Sequence, residues 1–293
     1  MSDLIAVIAP GEMGAGIGQR LRERGARVIT SLADRSAASA QRAERAGMVA
    51  VASDDEIAAA DMILSVVPPG DAAGLAERLK PAIARAAQKP FYVDCNAVAP
   101  PTAEAIGAIL AGSGAHYVDG GIIGAPPTPT TAGARIYVSG ERAQDVMRLN
   151  TYGLDMRLLD GPIGAASALK MSYAGITKGF TAVSAMMMLG ATRAGCAGEL
   201  RKELAESQPH LLAWLGRQMP KMPPKAYRWV AEMEEIGAFL DGIAGGRQTY
   251  DSIARLYDHI AAAQDAPRKP DDAVAQLDAF CAMESDKAKR KSA

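Results

Sequence analysis

The feature that most limits the fold is an alternation in the first half of the chain. Short runs rich in β-branched residues (Leu4–Ala9, Val28–Leu32, Met62–Val67, Phe91–Cys95) are separated by Ala-rich stretches with helical spacing (Gly11–Arg24, Ser36–Ala46, Gly74–Ala87). Strands alternating with helices of about ten residues build βαβ units, and these build a parallel sheet with helices on its faces. Tyr117–Val118 and Ile136–Ser139 read as two further strands, divided by the Gly- and Pro-rich segment Gly120–Gly133. A stretch so poor in regular signal is a flexible connection or a site loop. After Gly161-Pro162 the pattern changes. From Ile163 to Ala191 the residues are Ala, Met, Leu, Ser and Gly, with Lys170 and Lys178 among the few charges. A helix apolar on nearly every side is buried on nearly every side, so this one is expected to pack centrally, between domains or between subunits. Helical patterns follow at Gly198–Glu206, Pro209–Gln218, Lys225–Asp241, Thr249–Ala263 and Asp271–Met283, and the tail Asp286–Ala293 reads as a solvated end. The expected class is α/β: a parallel-sheet domain over residues 1–162, then an all-helical domain over 163–293.

Composition removes several functions. Among 293 residues, 32 Lys and Arg face 33 Asp and Glu, a net charge of −1, so no broad basic face is available for nucleic acid. The most apolar run, Ala182–Ala191, contains Ser184 and falls well short of a spanning helix. The start, Met1-Ser2-Asp3-Leu4-Ile5, has neither a charged n-region nor a small-residue cleavage site. Cys95, Cys196 and Cys281 lack paired or metal-ligand spacing. The expectation is a cytoplasmic protein with neither a disulfide frame nor a metal site.

Ile5-Ala6-Val7-Ile8-Ala9-Pro10-Gly11-Glu12-Met13-Gly14 reads as a strand, a glycine turn and the start of a helix. A dinucleotide fold needs that turn because a pyrophosphate sits against backbone N–H groups at a helix N-terminus. Gly11 would let the phosphates approach, and Gly14 would let helix and strand pack closely. Ala9 replaces the first glycine of the usual pattern, and Glu12 is expected to point to water. The second strand ends at Thr30-Ser31-Leu32-Ala33-Asp34-Arg35-Ser36. Ser31 and Arg35 suit a ribose 2′-phosphate, the strand end proper lacks a carboxylate for the 2′-hydroxyl, and Asp34 would repel the phosphate if turned inward. This favours NADP, with NAD as the alternative.

Four segments in order resemble the β-hydroxyacid dehydrogenase family, which includes 3-hydroxyisobutyrate and 6-phosphogluconate dehydrogenases. The branch it is most similar to carries a C-terminal domain of unknown function. The segments are Ile8–Gly18 with Gly25, Asp61–Pro68, Asp94–Pro100 continued by Asp119–Ala125, and Gly161–Lys170. The resemblance implies a Rossmann-like domain followed by a helical one, joined by a long helix bearing a catalytic lysine, which falls on Lys170. It also implies that Val66, Val67 and Pro68 shape the nicotinamide side, and that Asn96, Gly121, Ile122, Ile123 and Gly124 face the substrate. Hydride transfer to a carbonyl leaves an alkoxide that needs a proton, and oxidation needs the reverse, so a lysine at this place serves both directions. The plain alternative is a lysine that snorkels from the helix to water.

The departures bear on the substrate. Where the family places an asparagine four residues after the lysine, this chain has Ala174, preceded by Tyr173. Where it presents a serine before paired small residues, Ile123 precedes Gly124-Ala125. Lost donors make a pocket more apolar and less suited to a compact charged acid. Asn96 remains to hydrogen-bond substrate or nicotinamide amide, and Tyr173 is either an auxiliary proton donor or core. His116, His210 and His259 share no constellation. Met186–Met188 reads as core filling, and Arg228 and Trp229 either flank the substrate or belong to an amphipathic face. Three functions stay open: an NADP-dependent oxidoreductase acting on a hydroxyl or carbonyl carbon, an imine reductase, and a non-catalytic NADP(H) sensor. The expected partners are a small-molecule substrate and a second copy of the chain, with neither nucleic acid nor membrane.

Overall fold

The computed structural model describes residues 2–33, 35–128, 130–131, 133–267, 269 and 272–283. Asp34, Asp271 and the tail Asp286–Ala293, all read above, lie outside the described residues. The chain divides into two compact units, Met1–Tyr173 and Ala174–Ala293.

The first unit is built on an eight-stranded sheet. In chain order its elements are β1 (Leu4–Ile8), α1 (Glu12–Glu23), β2 (Arg27–Ser31), α2 (Ala37–Arg45), β3 (Val49–Val51), α3 (Asp54–Ala58), β4 (Met62–Ser65), α4 (Ala72–Arg85), β5 (Phe91–Asp94), α5 (Pro100–Leu110), β6 (His116–Ile123), β7 (Arg135–Ser139), β8 (Asp155–Leu158) and α6 (Ala165–Ala174). The strand order is β3-β2-β1-β4-β5-β6-β7-β8. The chain winds outward from β1 through β3, then returns to the other side of β1, so the topological switch lies between β1 and β4. Ligands of open α/β sheets bind beyond the carboxyl ends of the strands at that switch.

Two apolar layers cover the sheet. Ile5, Val7, Met62, Leu64 and Val93 pack with Ile17 and Leu21 of α1 and with Val146 and Leu149. On the other face Ala6, Ile8, Ile63 and Tyr92 pack with Leu75, Leu79, Ile83 and Ile106 from α4 and α5. Successive strand residues point to opposite faces, which is why the buried runs read as continuous rather than alternating. The sheet departs from the all-parallel expectation at one place, the antiparallel pair of β6 and β7. The segment between them is too short for the crossover that a parallel return requires. Gly120–Ile123, expected in a loop, belongs to β6. The three-residue β3 and the edge strand β8 add to the six expected strands, and a 3-10 helix, Ala143–Tyr152, connects β7 to β8.

The second unit is helical throughout its described residues: a π-helical turn, Gly175–Gly179, then α7 (Phe180–Arg193), α8 (Ala197–Ser207), α9 (Pro209–Gln218), α10 (Ala226–Phe239), α11 (Gly246–Asp265) and α12 (Ala273–Ala282). None of these helices is long and apolar enough to cross a membrane. The glycines of the π turn make room for Tyr250: a Cβ on Gly175 or Gly179 would stand 3.0 or 2.8 Å from its hydroxyl. Lys178 on this turn pairs with Glu232 of α10, the two side chains 17% and 8% exposed. Its ammonium also lies 4.9 Å from the Trp229 ring centre. Trp229 packs edge-on against Tyr257 at 5.1 Å, and the Tyr257 hydroxyl donates to the Lys178 carbonyl at 2.6 Å. Trp229 is therefore a packing residue of this cluster. Removing one partner of a buried pair strands the other charge, at about 3–5 kcal/mol, whereas apolar replacement of both is often neutral. Glu232→Ala is expected to lower unfolding stability by roughly 3 kcal/mol, and the double variant Lys178→Met/Glu232→Leu by less, measured by urea unfolding.

Candidate functional site

The carboxyl edge of the sheet carries a buried polar row. Ile8 pairs with Ser65, Ser65 with Asp94, Asp94 with Asp119 and Asp119 with Ser139. Ser65, Asp94, Asp119 and Ser139 are each at most 1% exposed. Burying carboxylates requires partners, and each Asp has its own set.

Asp119 anchors α6. One of its carboxylate oxygens accepts from the backbone N–H groups of Gly164 at 2.9 Å, Ala166 at 3.0 Å and Ser167 at 3.1 Å. The Ser139 hydroxyl donates to the same oxygen at 2.9 Å, and the Ser167 hydroxyl donates to the other at 2.6 Å. A carboxylate below the first turn satisfies N–H groups that the helix itself cannot, and its charge complements the helix dipole. Two residues further along β6, Gly121 faces α6 so closely that a Cβ there would lie 2.7 Å from the Ala166 carbonyl and 2.9 Å from Lys170 Cβ. Asp119 and Gly121 together seat Lys170 one pleat beyond the polar row.

Asp94 organises the loops beside it. Asn96 donates to it from its backbone at 3.1 Å and from its amide at 2.5 Å. The same amide donates to Ser65 Oγ at 2.8 Å, and Asn96 Oδ1 accepts from Val67 N at 2.7 Å. Asn96 was expected to bond substrate or nicotinamide; instead its amide is taken up inside the protein, tying the segment after β4 to the segment after β5. Val66 N donates to Ile8 O, and Ala9 N donates to Val66 O at 3.4 Å, which joins the glycine turn to the same assembly. Burial, with the neighbouring Asp119 charge, pushes the Asp94 carboxyl up to about 7, against the backbone N–H of Asn96 and the Tyr117 hydroxyl, which favour its ionised form.

At the glycine turn the residues fit a diphosphate. Gly11 is the N-cap of α1 and has no side chain with which to cap it. A Cβ there would meet nothing within 4 Å, whereas one on Gly14 would collide with the Ala9 carbonyl. Gly11 thus leaves room on its outer side, and Gly14 lets α1 close on the strand end. The N–H groups of α1's first turn are those an anion would take. Glu12 is exposed, and Ala9 and Pro10 are buried beneath the turn.

The remaining expected residues divide. Ser31 ends β2 and is buried, Arg35 is half-buried, Pro68 is exposed and Val67 is buried. Met13 and Val66 are partly buried and pack against the core, and Ile122 belongs to it. Ile123 lies on the opposite side of β6 from Ile122 and is buried, as is Ala174, while Tyr173 is half exposed. Gly124 has φ +127, a conformation that glycine adopts without strain. Sequence reasoning gave no role to Asp119, whose helix partners lie some 45 residues away in the chain. It also passed over Arg42, which donates to the Pro10 carbonyl at 3.1 Å; the signal available was Ser36, Ser39 and Arg42 at helical spacing.

Residues 4–149 match the NAD binding domain of 6-phosphogluconate dehydrogenase, and residues 191–260 match a domain of unknown function, DUF1932. No curated protein matches. Among solved structures, the conserved protein MTH1747, of unknown function and similar in structure to 3-hydroxyacid dehydrogenases, is 28% identical, with 90% of this chain and 100% of that chain covered at a TM-score of 0.66. A 3-hydroxyisobutyrate dehydrogenase from Mycobacterium tuberculosis, solved with L-serine, is 17% identical over 96% of this chain and 99% of its own, TM-score 0.72. An imine reductase from Myxococcus stipitatus in complex with NADP+ is 17% identical over 95% and 99%, TM-score 0.53.

Asp94 offers a test of the polar row. Its ordinary value is 3.8 and its folded value about 7, so folding favours the protonated form. The stability this gives is fully present below pH 4 and is lost as pH rises to about 7. Chemical unfolding between pH 4 and 8 is expected to show the wild-type chain losing stability relative to Asp94→Asn across that window; parallel curves would contradict it. The chain thus joins an NAD-binding domain of the 6-phosphogluconate dehydrogenase type, at residues 4–149, to a domain of unknown function at residues 191–260.

Proposed function

We propose that this protein is an NADP-dependent oxidoreductase acting at a hydroxyl or carbonyl carbon of a small, largely apolar substrate, with Lys170 as general acid and base. When bound, a nicotinamide cofactor supplies or accepts the hydride. The N–H groups of the first turn of α1, above Gly11, hold the pyrophosphate; Ser31 and Arg35 take the ribose phosphate; Val66, Val67 and Pro68 border the nicotinamide side. Gly121, Ile123 and Gly124 of the β6 end and its loop, with Tyr173, border the substrate.

The observation that carries the reading is the seat of Lys170. A cation anchored over Gly121 by the Asp119-capped helix stands beyond the same strand ends that carry the glycine turn, where open α/β sheets bind ligands. In reduction its ammonium gives a proton to the oxygen that becomes an alkoxide, and in oxidation its neutral amine removes one. Neither Ile123 nor the buried Ala174 supplies a hydrogen-bond donor from its side chain. A pocket without those donors leaves a substrate carboxylate poorly compensated, which favours apolar aldehydes, ketones and the corresponding alcohols.

The test is NADPH oxidation across a panel of aldehydes, 3-oxoacids and cyclic imines. Turnover with carbonyl compounds is expected, and Lys170→Ala is expected to lower kcat by about 10²–10⁴-fold with NADPH affinity retained. Undiminished turnover in that variant removes the lysine from the mechanism, and turnover of imines alone moves the reaction to C=N bonds.

A homodimer is part of the same proposal. Ile176, Phe180, Val183 and Met187 recur at helical spacing and are 73%, 41%, 44% and 61% exposed on a single chain. Contiguous apolar surface of this kind marks an interaction site. Light scattering is expected to give twice the 30.5 kDa chain mass; a species of one chain mass would refute it.

A further inference from the structure

One polar line on α2 has no part in the reading so far. Ser36 caps α2, its hydroxyl accepting from Ser39 N at 3.3 Å and lying 3.2 Å from Ser39 Oγ. Arg42 Nη2 donates to Ser39 Oγ at 3.0 Å, and Arg42 Nε donates to the Pro10 carbonyl at 3.1 Å. Residues three apart share one helix face, so Ser36, Ser39 and Arg42 form a single ridge. Its far end is fixed to the residue that precedes Gly11.

The ridge holds a guanidinium in place without neutralising it. A guanidinium has five N–H donors, and only Nε and one N–H of Nη2 have partners among the described residues. Arg42 makes no salt bridge among them. It is also within reach of a solute: with Glu12, Gly16, Gln19 and Pro126 it lines a cavity of about 450 Å³. A dinucleotide whose diphosphate rests on the Gly11 turn places its adenosine ribose over the end of β2, beside α2. The Arg42 guanidinium itself bridges Pro10, which precedes Gly11, and Ser39 in the first turn of α2.

We infer that Arg42 is a specificity-determining residue that binds the 2′-phosphate of a phosphorylated dinucleotide, with the Ser39 hydroxyl as a second donor. The inference rests on the cofactor reading above and deepens it. A phosphate monoester carries nearly two negative charges and three acceptor oxygens, so it gains charge-assisted hydrogen bonds from Arg42; the plain 2′-hydroxyl gains little. A role confined to pinning α2 on Pro10 would act equally on both cofactors, and this separates the two explanations.

The experiment is titration of the full-length protein with NADPH and with NADH, for wild type, Arg42→Met, Arg42→Lys and Ser39→Ala. Wild type is expected to prefer NADPH. Arg42→Met is expected to weaken NADPH by roughly 10–100-fold, the range for one charge-assisted hydrogen bond, with NADH changed less than about 3-fold. Arg42→Lys is expected to recover part of the loss, and Ser39→Ala to lose less than Arg42→Met. Retained NADH binding shows that the variants are folded. Unchanged NADPH affinity in Arg42→Met, or equal losses for both nucleotides, would overturn the inference and leave the cofactor reading standing. A wild-type chain that binds neither nucleotide would overturn both.

Discussion

The Asp119 carboxylate is the interaction on which the candidate site depends. It is fully buried and joins three parts of the first unit that are far apart in sequence: the middle of β6, the end of β7 and the start of α6. An unpaired buried carboxylate would be driven to its neutral form or would unfold its surroundings. Here the cost is offset by N–H groups that the first turn of any helix leaves unsatisfied. The helix end and the acid each supply what the other lacks, and α6 is fixed in direction and height above the sheet. Gly121 then sets how near α6 comes. With any larger residue there, Ala166 and Lys170 would have to move away from the strand.

A second layer of order lies next to the first. Asp94, through Asn96, holds the segments that follow β4 and β5 at fixed separation, and the backbone link from Val66 to the strand end of β1 brings in the glycine turn. The connections after β1, β4 and β5, which any ligand at the switch point would touch, are therefore bonded to one another before a ligand arrives. Preorganisation of this kind lowers the ordering cost of binding. It also explains why an asparagine in a loop is 2% exposed: its work is to position Val67 and the acid beside it rather than to reach outward.

Much of this was legible in the sequence because it is local. The strand–turn–helix at Ile5–Gly14, the alternation that gives a parallel sheet, and the helices of the second half each follow from period and composition within a short window. What escaped was non-local or brief. β3 has three residues and is largely exposed, so it shows no period to read. The reversal at β7 follows from a short connection rather than from any pattern in the strand itself. Asp119 and Asn96 looked like loop or motif residues because their partners come from other strands and helices. Ile122 was drawn into the site by neighbouring motif positions, while its side chain belongs to the core under the sheet. The glycines at 175 and 179 make room for Tyr250, far along the chain.

The proposed function comes down to one claim: a nicotinamide dinucleotide lies on the Gly11 turn with its reactive end beneath Lys170. A crystal structure of the protein with NADP+ and a non-reacting carbonyl or alcohol ligand tests it most directly. The account predicts the diphosphate at the first turn of α1 and Lys170 Nζ about 3 Å from the ligand oxygen, within hydrogen-bond reach. A diphosphate bound elsewhere, or an Nζ turned to bulk solvent with another group on that oxygen, would contradict it.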